Sequence, residues 1–385
     1  MADLAYEEMP LSYQIDVFAR DSVDKVASRF FKSHNIISMI PSITSYVYEI
    51  RAGDESYIAK LSIMGLSKAT LAKEYKNKGI DALIEDQEAF LKSTKNDMQK
   101  EAMETKFLNN KIPGISPKLV AYRKGVMVQR KAEYAIRLQE ALESDTSLNQ
   151  VYQNAYAALK SIHRISEDKV AVSWISRNFP FQETKTDTLI KFRSKFLSSD
   201  KALRHIATLG GEEFGYISDA YRNLCVVISS LLERFVPADR PCVVFGDFKP
   251  ENALVRADNK VILIDGEMHM GRSSLDIGRM VSRTSLSLLY GHIPEERKGQ
   301  IAEALKDFVF SAKEDNPDIG METVLVCSMD MLNILSSYLN LTELEGYPRN
   351  VQENYNKRLQ IIDKVKGVFG KGIFSLEDFI AHFGA

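Results

Sequence analysis

Val243-Val-Phe-Gly-Asp-Phe-Lys-Pro-Glu-Asn-Ala-Leu-Val255, followed closely by Lys260-Val-Ile-Leu-Ile-Asp-Gly-Glu267, is the part of the chain whose reading decides the fold. Two short apolar segments, Cys242 to Phe245 and Val261 to Ile264, read as strands. Asp247 and Asn252, five positions apart, follow the first, and Asp265 ends the second. The spacing predicts a hairpin with all three residues at its mouth. Phosphoryl transfer from a nucleotide needs such a set. One carboxylate orients the acceptor hydroxyl and takes its proton, while a carboxylate and an amide oxygen hold magnesium on the transferring phosphates. The bland alternative, a loop of solvated charges, requires several residue types to coincide at these spacings by chance.

Gly246-Asp-Phe-Lys-Pro-Glu-Asn252 resembles the catalytic loop of protein kinases and, more closely, that of the aminoglycoside phosphotransferase/choline kinase superfamily. Ile264-Asp-Gly-Glu267 looks like that superfamily's metal motif. The resemblance implies an α+β, protein-kinase-like fold with a small β-rich N-terminal lobe and a larger helical C-terminal lobe. It implies Asp247 as catalytic base, Asn252 and Asp265 as magnesium ligands, Glu267 at or beside the metal, and Lys249 reaching the γ-phosphate. ATP or GTP with Mg2+ would be the cofactors. Asp276, in Ser274-Leu-Asp-Ile-Gly-Arg279, matches a later aspartate that braces the catalytic loop, a structural role. His163 falls where relatives often carry histidine, and reads as a satisfied core residue. Phe245 stands where the superfamily usually has histidine.

The small lobe carries its own signals. The first forty residues read as helix, with Val23, Val26, Phe30 and Phe31 at helical spacing. Ser45 to Arg51 and Ser56 to Ile63 are rich in β-branched and aromatic residues and flank Ala52-Gly-Asp-Glu55, a hairpin pattern. Lys118 to Tyr122 and Val126 to Gln129 read as two more strands. Tyr57-Ile-Ala-Lys60 is similar to the kinase strand whose lysine pairs with nucleotide phosphates and with a helix glutamate. Counting back from Phe107-Leu108 and the Pro117 loop favours Glu101 as that glutamate, with Glu104 one turn on. By the same likeness the nucleotide-covering loop is Ile40 to Tyr46, where Ser42, Thr44 or Ser45 and backbone N–H groups would contact phosphates. Val128-Gln-Arg130 falls at the hinge, whose backbone would bind the base. Residues from about 66 to 98, rich in Lys, Glu, Ala and Leu, form a helical insertion within a segment read as one or two helices.

Past Arg130 the chain turns helical, with Val151, Ala155, Leu159 and Ile162 on one amphipathic face and Tyr221 to Phe235 another helix. The division expected is residues 1–127 as nucleotide-binding lobe and 128–385 as hinge and helical lobe with the acceptor site. Ten residues separate Asp265 from Asp276 and no Ala-Pro-Glu follows, too little chain to dock a peptide, so the acceptor reads as a small molecule. Residues 174–204 mix aromatics with Lys185, Lys191, Arg193 and Lys195 and show no acidic pocket for a polycation.

Composition excludes other classes. Of 385 residues, 50 are Lys or Arg and 52 Asp or Glu, a net charge of −2, which argues against a nucleic-acid coat or polybasic membrane binder. Cys225, Cys242 and Cys327 form no CxxC pair, so a disulfide framework or zinc site is not expected. An acidic N-terminus without a signal-peptide pattern and the lack of a long apolar run read as cytoplasmic. The expectation is therefore an ATP- and Mg-dependent phosphotransferase acting on a small-molecule hydroxyl. A nucleotide-binding pseudokinase is the alternative, motivated by Phe245 and a glycine-free nucleotide loop. An atypical protein kinase stands third.

Overall fold

A computed structural model describes residues 9–42, 45–66, 68–93, 97–179, 212–234, 241–317, 319–339 and 348–384. The chain divides after Glu133 into two compact units. A boundary at 127, as expected from sequence, would cut through a strand that the structure keeps whole.

The first unit opens with helix α1 (Leu11–Ala27), whose Ile15, Ala19, Val23 and Val26 are buried at spacings of three and four. The helix ends well before residue 40, because a strand, β1 (Asn35–Ile40), begins there. Its side chains are mostly exposed, so no alternation marks it in the sequence. Strands β2 (Tyr46–Ala52) and β3 (Glu55–Leu61) form the expected hairpin. Gly53 takes φ +61° at the first turn position, where a type II′ turn needs glycine. Three helices follow, α2 (Lys68–Tyr75), α3 (Gly79–Lys92) and α4 (Asp97–Lys111), with Gly79 at φ +81° separating the first two. Strands β4 (Leu119–Arg123) and β5 (Val126–Arg130) complete an antiparallel sheet of order β1-β2-β3-β5-β4. Tyr46, Tyr48 and Ile50 of β2, Tyr57, Ala59 and Leu61 of β3, and Val126 and Val128 of β5 share one face, packed with α1 to α3 in a single core. Met127 points to the other face and packs with Met98 and Ala102 of α4. The insertion thus covers one face of the sheet, and α4 lies on the other.

The second unit begins with β6 (Ile136–Arg137), α5 (Leu138–Ala141), α6 (Leu148–His163) and α7 (Lys169–Asn178). On α6 the residues Val151, Ala155, Leu159 and Ile162 are all fully buried, as their spacing predicts. Helix α8 (Glu212–Arg234) comes next; it starts earlier than expected, and Phe235 lies outside the described residues. Four three-residue strands follow: β7 (Cys242–Val244), β8 (Ala253–Val255), β9 (Val261–Leu263) and β10 (His269–Gly271). The expected hairpin of 242–245 with 261–264 is corrected here: β9 pairs with β8, and β7 pairs with β10. Segments this short carry no periodicity from which their partners could be inferred.

The rest is helical: α9 (Ser273–Ser287), α10 (Glu295–Asp315), α11 (Met321–Tyr338), α12 (Arg349–Asn356), α13 (Arg358–Gly370) and α14 (Leu376–Gly384). Helix α9 is buried almost all round, including Ser282, Thr284, Ser285 and Ser287. Its approach to α11 is set by Gly278, where an added Cβ would stand 2.6 Å from Val326 Cγ1. No described helix is long and apolar enough to cross a membrane.

Gly278→Ala tests that contact with opposing terms. Helix propensity favours alanine by about 1 kcal/mol, while overpacking a tight contact costs about 1–3 kcal/mol. A net loss is expected in urea unfolding, and a net gain would show that α9 and α11 can separate freely.

Candidate active site

In the first unit, strand alternation turns Lys60 away from the α1–α3 core, toward α4. Its Nζ donates to both carboxylate oxygens of Glu101, at 3.0 and 2.9 Å, with each side chain only 14% and 13% exposed. Of the two glutamates weighed from sequence, Glu101 meets the lysine; Glu104 is buried one turn on. A pair this desolvated is held by its geometry, since either charge alone would be costly there.

The other nucleotide-facing expectations fare differently. Ser42 is half-buried, whereas Ser45 is 3% exposed at the start of β2, so Ser42 is the more accessible of the two. Thr44 lies outside the described residues. Val128 sits in mid-strand, fully buried, with β3 on one side and β4 on the other. Arg130 N–H donates to Lys118 O at 2.9 Å and its guanidinium pairs with Glu55. Lys131 N–H donates to Ser56 O at 2.9 Å. The sheet thus extends through Val128-Gln-Arg130, the stretch expected to face the base.

In the second unit the loop 246–252 leaves β7 through Gly246, at φ +82°. A Cβ there would lie 2.2 Å from the backbone oxygen of Glu267, so glycine is required twice over, by conformation and by space. Asp276, completely buried on α9, accepts the N–H groups of Phe245 and Gly246 at 2.8 Å each, and its Oδ2 also meets His163 Nε2 at 3.1 Å. Those contacts agree with the bracing expected of Asp276; His163 has the partner expected of it but is half-buried, not a core residue. Phe245 is buried edge-to-face against Phe248, with ring centroids 6.5 Å apart, and Phe248 stacks on Phe308 of α10. The aromatic at 245 therefore fills an apolar space beneath the loop.

Asp247 is surrounded by donors. Lys249 Nζ reaches Oδ2 at 2.6 Å, Asn252 Nδ2 reaches the same oxygen at 2.8 Å, and Arg279 Nη1 reaches Oδ1 at 2.9 Å. Burial would raise its pKa, but the charges of Lys249 and Arg279 outweigh this and hold the carboxyl well below the usual range. Reciprocally, burial works against the Lys249 ammonium and Asp247 more than restores it, raising the lysine. Arg279 also donates to Gly246 O and is 5% exposed. From sequence Arg279 has no assigned role; its place three positions after Asp276, on the same helix face, is the available signal.

Asn252 belongs to a single 3-10 turn (Pro250–Asn252). Its amide N–H2 is engaged by Asp247, which leaves oxygen as the atom it would present to a cation. Asp265 takes φ +57°, uncommon for a residue other than glycine. Its neighbourhood fixes that conformation: Ile264 N–H donates to Asn252 O at 2.9 Å and Glu267 N–H to Phe245 O at 2.9 Å. Asp265 and Glu267 are both exposed. A few hard oxygen donors, one of them an amide, fit magnesium, which keeps waters and binds through one or two carboxylates plus phosphates. Among the described residues no three His, Cys, Asp or Glu side chains converge as a metal site. His269 is buried in β10, its Nδ1 2.7 Å from Glu267 O, and burial lowers its pKa, which favours the neutral ring. Of the aromatic and basic stretch, Trp174 and Phe179 pack edge-to-face at 5.3 Å, and residues from 180 on lie outside the described set.

Residues 39–290 match the model of a family described as the phosphotransferase enzyme family. Among solved structures, choline kinase from Cryptosporidium parvum matches with TM-score 0.54 and 12% identity over 94% of this chain and 99% of its own. A GDP complex of an aminoglycoside 2'-phosphotransferase matches with TM-score 0.50 and 12% identity over 92% and 99%. Ethanolamine kinase from Plasmodium vivax gives 0.49 and 14% over 89% and 85%. Identities this low speak to the fold, which is protein-kinase-like. No significant match is found among curated proteins.

The electrostatics of Asp247 predict a pH signature. A carboxyl whose folded pKa is depressed contributes stability that is present above its unfolded value, about 3.9, and is lost as pH falls below that. Comparing the urea stability of the parent with Asp247→Asn should therefore show the largest difference above about pH 4, narrowing in more acid solution. A difference independent of pH would mean that Lys249 and Arg279 do not stabilise the ionised form.

Proposed function

The chain belongs to the phosphotransferase enzyme family, and from that premise we propose that it is a magnesium-dependent kinase transferring phosphate from ATP or GTP to a small-molecule hydroxyl. The observation that carries this reading is Asp247, a carboxylate held by three donors within 2.9 Å on a loop anchored to a buried helix. Asp247 would accept the hydrogen bond of the acceptor hydroxyl and aim its oxygen at the phosphorus. Because it is a weak base, the proton would move late, as the new P–O bond makes that oxygen acidic. Lys249, on Asp247 Oδ2, would share its charge with the transferring phosphate. Lys60, kept in place by Glu101, would neutralise the non-reacting phosphates. Ser42 would contribute on the nucleotide-covering loop.

Asn252, Asp265 and Glu267 would hold magnesium, which supplies charge neutralisation on the phosphate oxygens. The acceptor is an antibiotic or a metabolite. The ten-residue interval between Asp265 and Asp276 supports a small molecule over a peptide. The pseudokinase alternative rests on Phe245 and the glycine-free nucleotide loop. The structure weakens the first of these grounds, because the loop backbone at 245 and 246 is fixed by Asp276, a role that needs no histidine.

Incubation with γ-labelled ATP, magnesium and a panel of metabolites and antibiotics tests the proposal. Label should appear on a small molecule, and Asp247→Asn should lower that turnover by about three orders of magnitude or more while nucleotide binding persists. Nucleotide binding with no label on any acceptor would favour the pseudokinase, and label on protein side chains the atypical protein kinase. Lys60→Met is expected to weaken nucleotide binding, read as a raised KM for ATP; an unchanged KM would remove Lys60 from the nucleotide site.

A further inference from the structure

Glu251 lies between the base and the amide ligand in sequence, and a likeness to other catalytic loops assigns it no role in this chain. In the structure it is the point where two separate helices meet the loop, one of them backed by a third. Its Oε1 accepts from Arg283 Nη1 of α9 at 3.4 Å and from Asn350 Nδ2 of α12 at 3.1 Å. Arg283 in turn donates from Nε to Asp330 Oδ2 of α11 at 2.8 Å, and Ser282 Oγ donates to the same oxygen at 2.6 Å. Asp330 is 4% exposed, and burial, which would raise its pKa, is outweighed by Arg283, which holds it ionised. The charges run Asp330, Arg283, Glu251, alternating in sign.

Helix α12 is itself pinned. Tyr290 OH meets Asn354 Oδ1 at 3.0 Å, and His292 meets Glu353 through Nδ1 at 2.9 Å and Glu143 through Nε2 at 3.0 Å. Asn350 therefore approaches Glu251 from a fixed support. Glu251 is the middle residue of the 3-10 turn Pro250–Asn252, and Asn252 at its end donates to both the backbone oxygen and Oδ2 of Asp247, at 3.0 and 2.8 Å. Restraining Glu251 restrains the turn, and the turn sets the Asn252–Asp247 pair.

We propose that Glu251 is a positioning residue, clamped by Arg283 and Asn350, that fixes the orientation of Asp247 and Asn252 and makes turnover depend on the seating of α12. This rests on the kinase reading of the same loop. It does not require Glu251 to touch nucleotide or acceptor, so its loss should appear in kcat and not in the KM for ATP.

Three variants test it: Glu251→Gln, which keeps the shape; Asn350→Ala, which removes only the α12 contact; and Asn350→Asp, which sets a like charge against Glu251. Misplacement of a reacting group by about 1 Å can cost about 10²-fold, and Glu251→Gln should approach that loss in kcat. Asn350→Ala should lose about tenfold, the worth of one hydrogen bond to a charged group, and Asn350→Asp should lose more. The KM for ATP and the thermal midpoint should stay close to the parent's, and backbone amides of 245–253 should exchange hydrogen faster in each variant. The proposal fails if turnover and exchange match the parent's, if Asn350→Asp is no worse than Asn350→Ala, or if lost activity returns on assay at lower temperature, which marks a stability effect. A parent protein that phosphorylates no acceptor would sink the kinase reading separately, while the exchange rates would still decide the clamp.

Discussion

Everything chemical in the second unit depends on one buried carboxylate receiving two backbone N–H groups. Asp276 has no exposure, and it accepts from Phe245 and Gly246 where the catalytic loop leaves β7. A carboxyl group at that depth is tolerable only because its oxygens are engaged by hydrogen-bond donors. Asp276, Arg279 and Arg283 stand at i, i+3 and i+7 on α9, one face of the helix, and they grip successive parts of the loop: its first amides, Asp247 and its 3-10 turn. A helix that bonds to a loop along one face must be immobile itself. Helix α9 achieves this by burying its other side against α11, with Gly278 letting the two backbones approach.

Seen this way, the serines and threonines buried on α9 are not anomalous. Ser282, Thr284, Ser285 and Ser287 bring hydroxyls into the core where an all-apolar helix would pack equally well. Several bond to carbonyls or to side chains of their own neighbourhood, as Ser287 does to Thr284 O and Thr284 does with Tyr152. Small side chains allow the close helix contacts, and the hydroxyls of Ser282, Thr284 and Ser287 find partners, which lowers the cost of burying them. The amphipathic test misreads such a helix, because its polar residues face inward as well.

Legibility in the sequence followed the length and regularity of each element. The β2–β3 hairpin, β4, β5 and the buried face of α6 were readable, because seven-residue strands and sixteen-residue helices express their period. Strand β1 was not, since an edge strand with exposed side chains has no face to mark. The pairings of β7 with β10 and β8 with β9 were not either, because three residues fix no register. At the site, Asp247, Asn252 and Asp265 were legible as residue types at a spacing, and Glu101 as the partner of Lys60 came from counting positions. For Ser45 and Val128–Arg130 the sequence places residues near strand ends, but burial of the first and the ladder through the others appear only in the structure. The contacts of Arg283 and Asp330 carry no sequence signal, because their partners lie far away in the chain, whereas Arg279 is marked only by its place one turn after Asp276.

The depressed pKa of Asp247 bears on what kind of group it is. A general base works best with a pKa near the operating pH, and here Lys249 and Arg279 push the carboxyl away from that value. If proton removal were the difficult step, two cations against the base would be a poor arrangement. In phosphoryl transfer with a loose transition state it is not the difficult step, because the hydroxyl becomes acidic only as the bond to phosphorus forms. What the reaction needs is an oxygen held in line, and a carboxylate gripped on both oxygens by Lys249, Asn252 and Arg279 is nearly immobile. The basicity lost to the cations is offset by the orientation they impose. The same cations keep Asp247 ionised across the neutral range, so on the proposed reading an incoming hydroxyl would always meet an acceptor for its hydrogen bond. Position, charge and protonation state at the reacting centre thus come from one cluster, and that cluster is held in place by one face of α9.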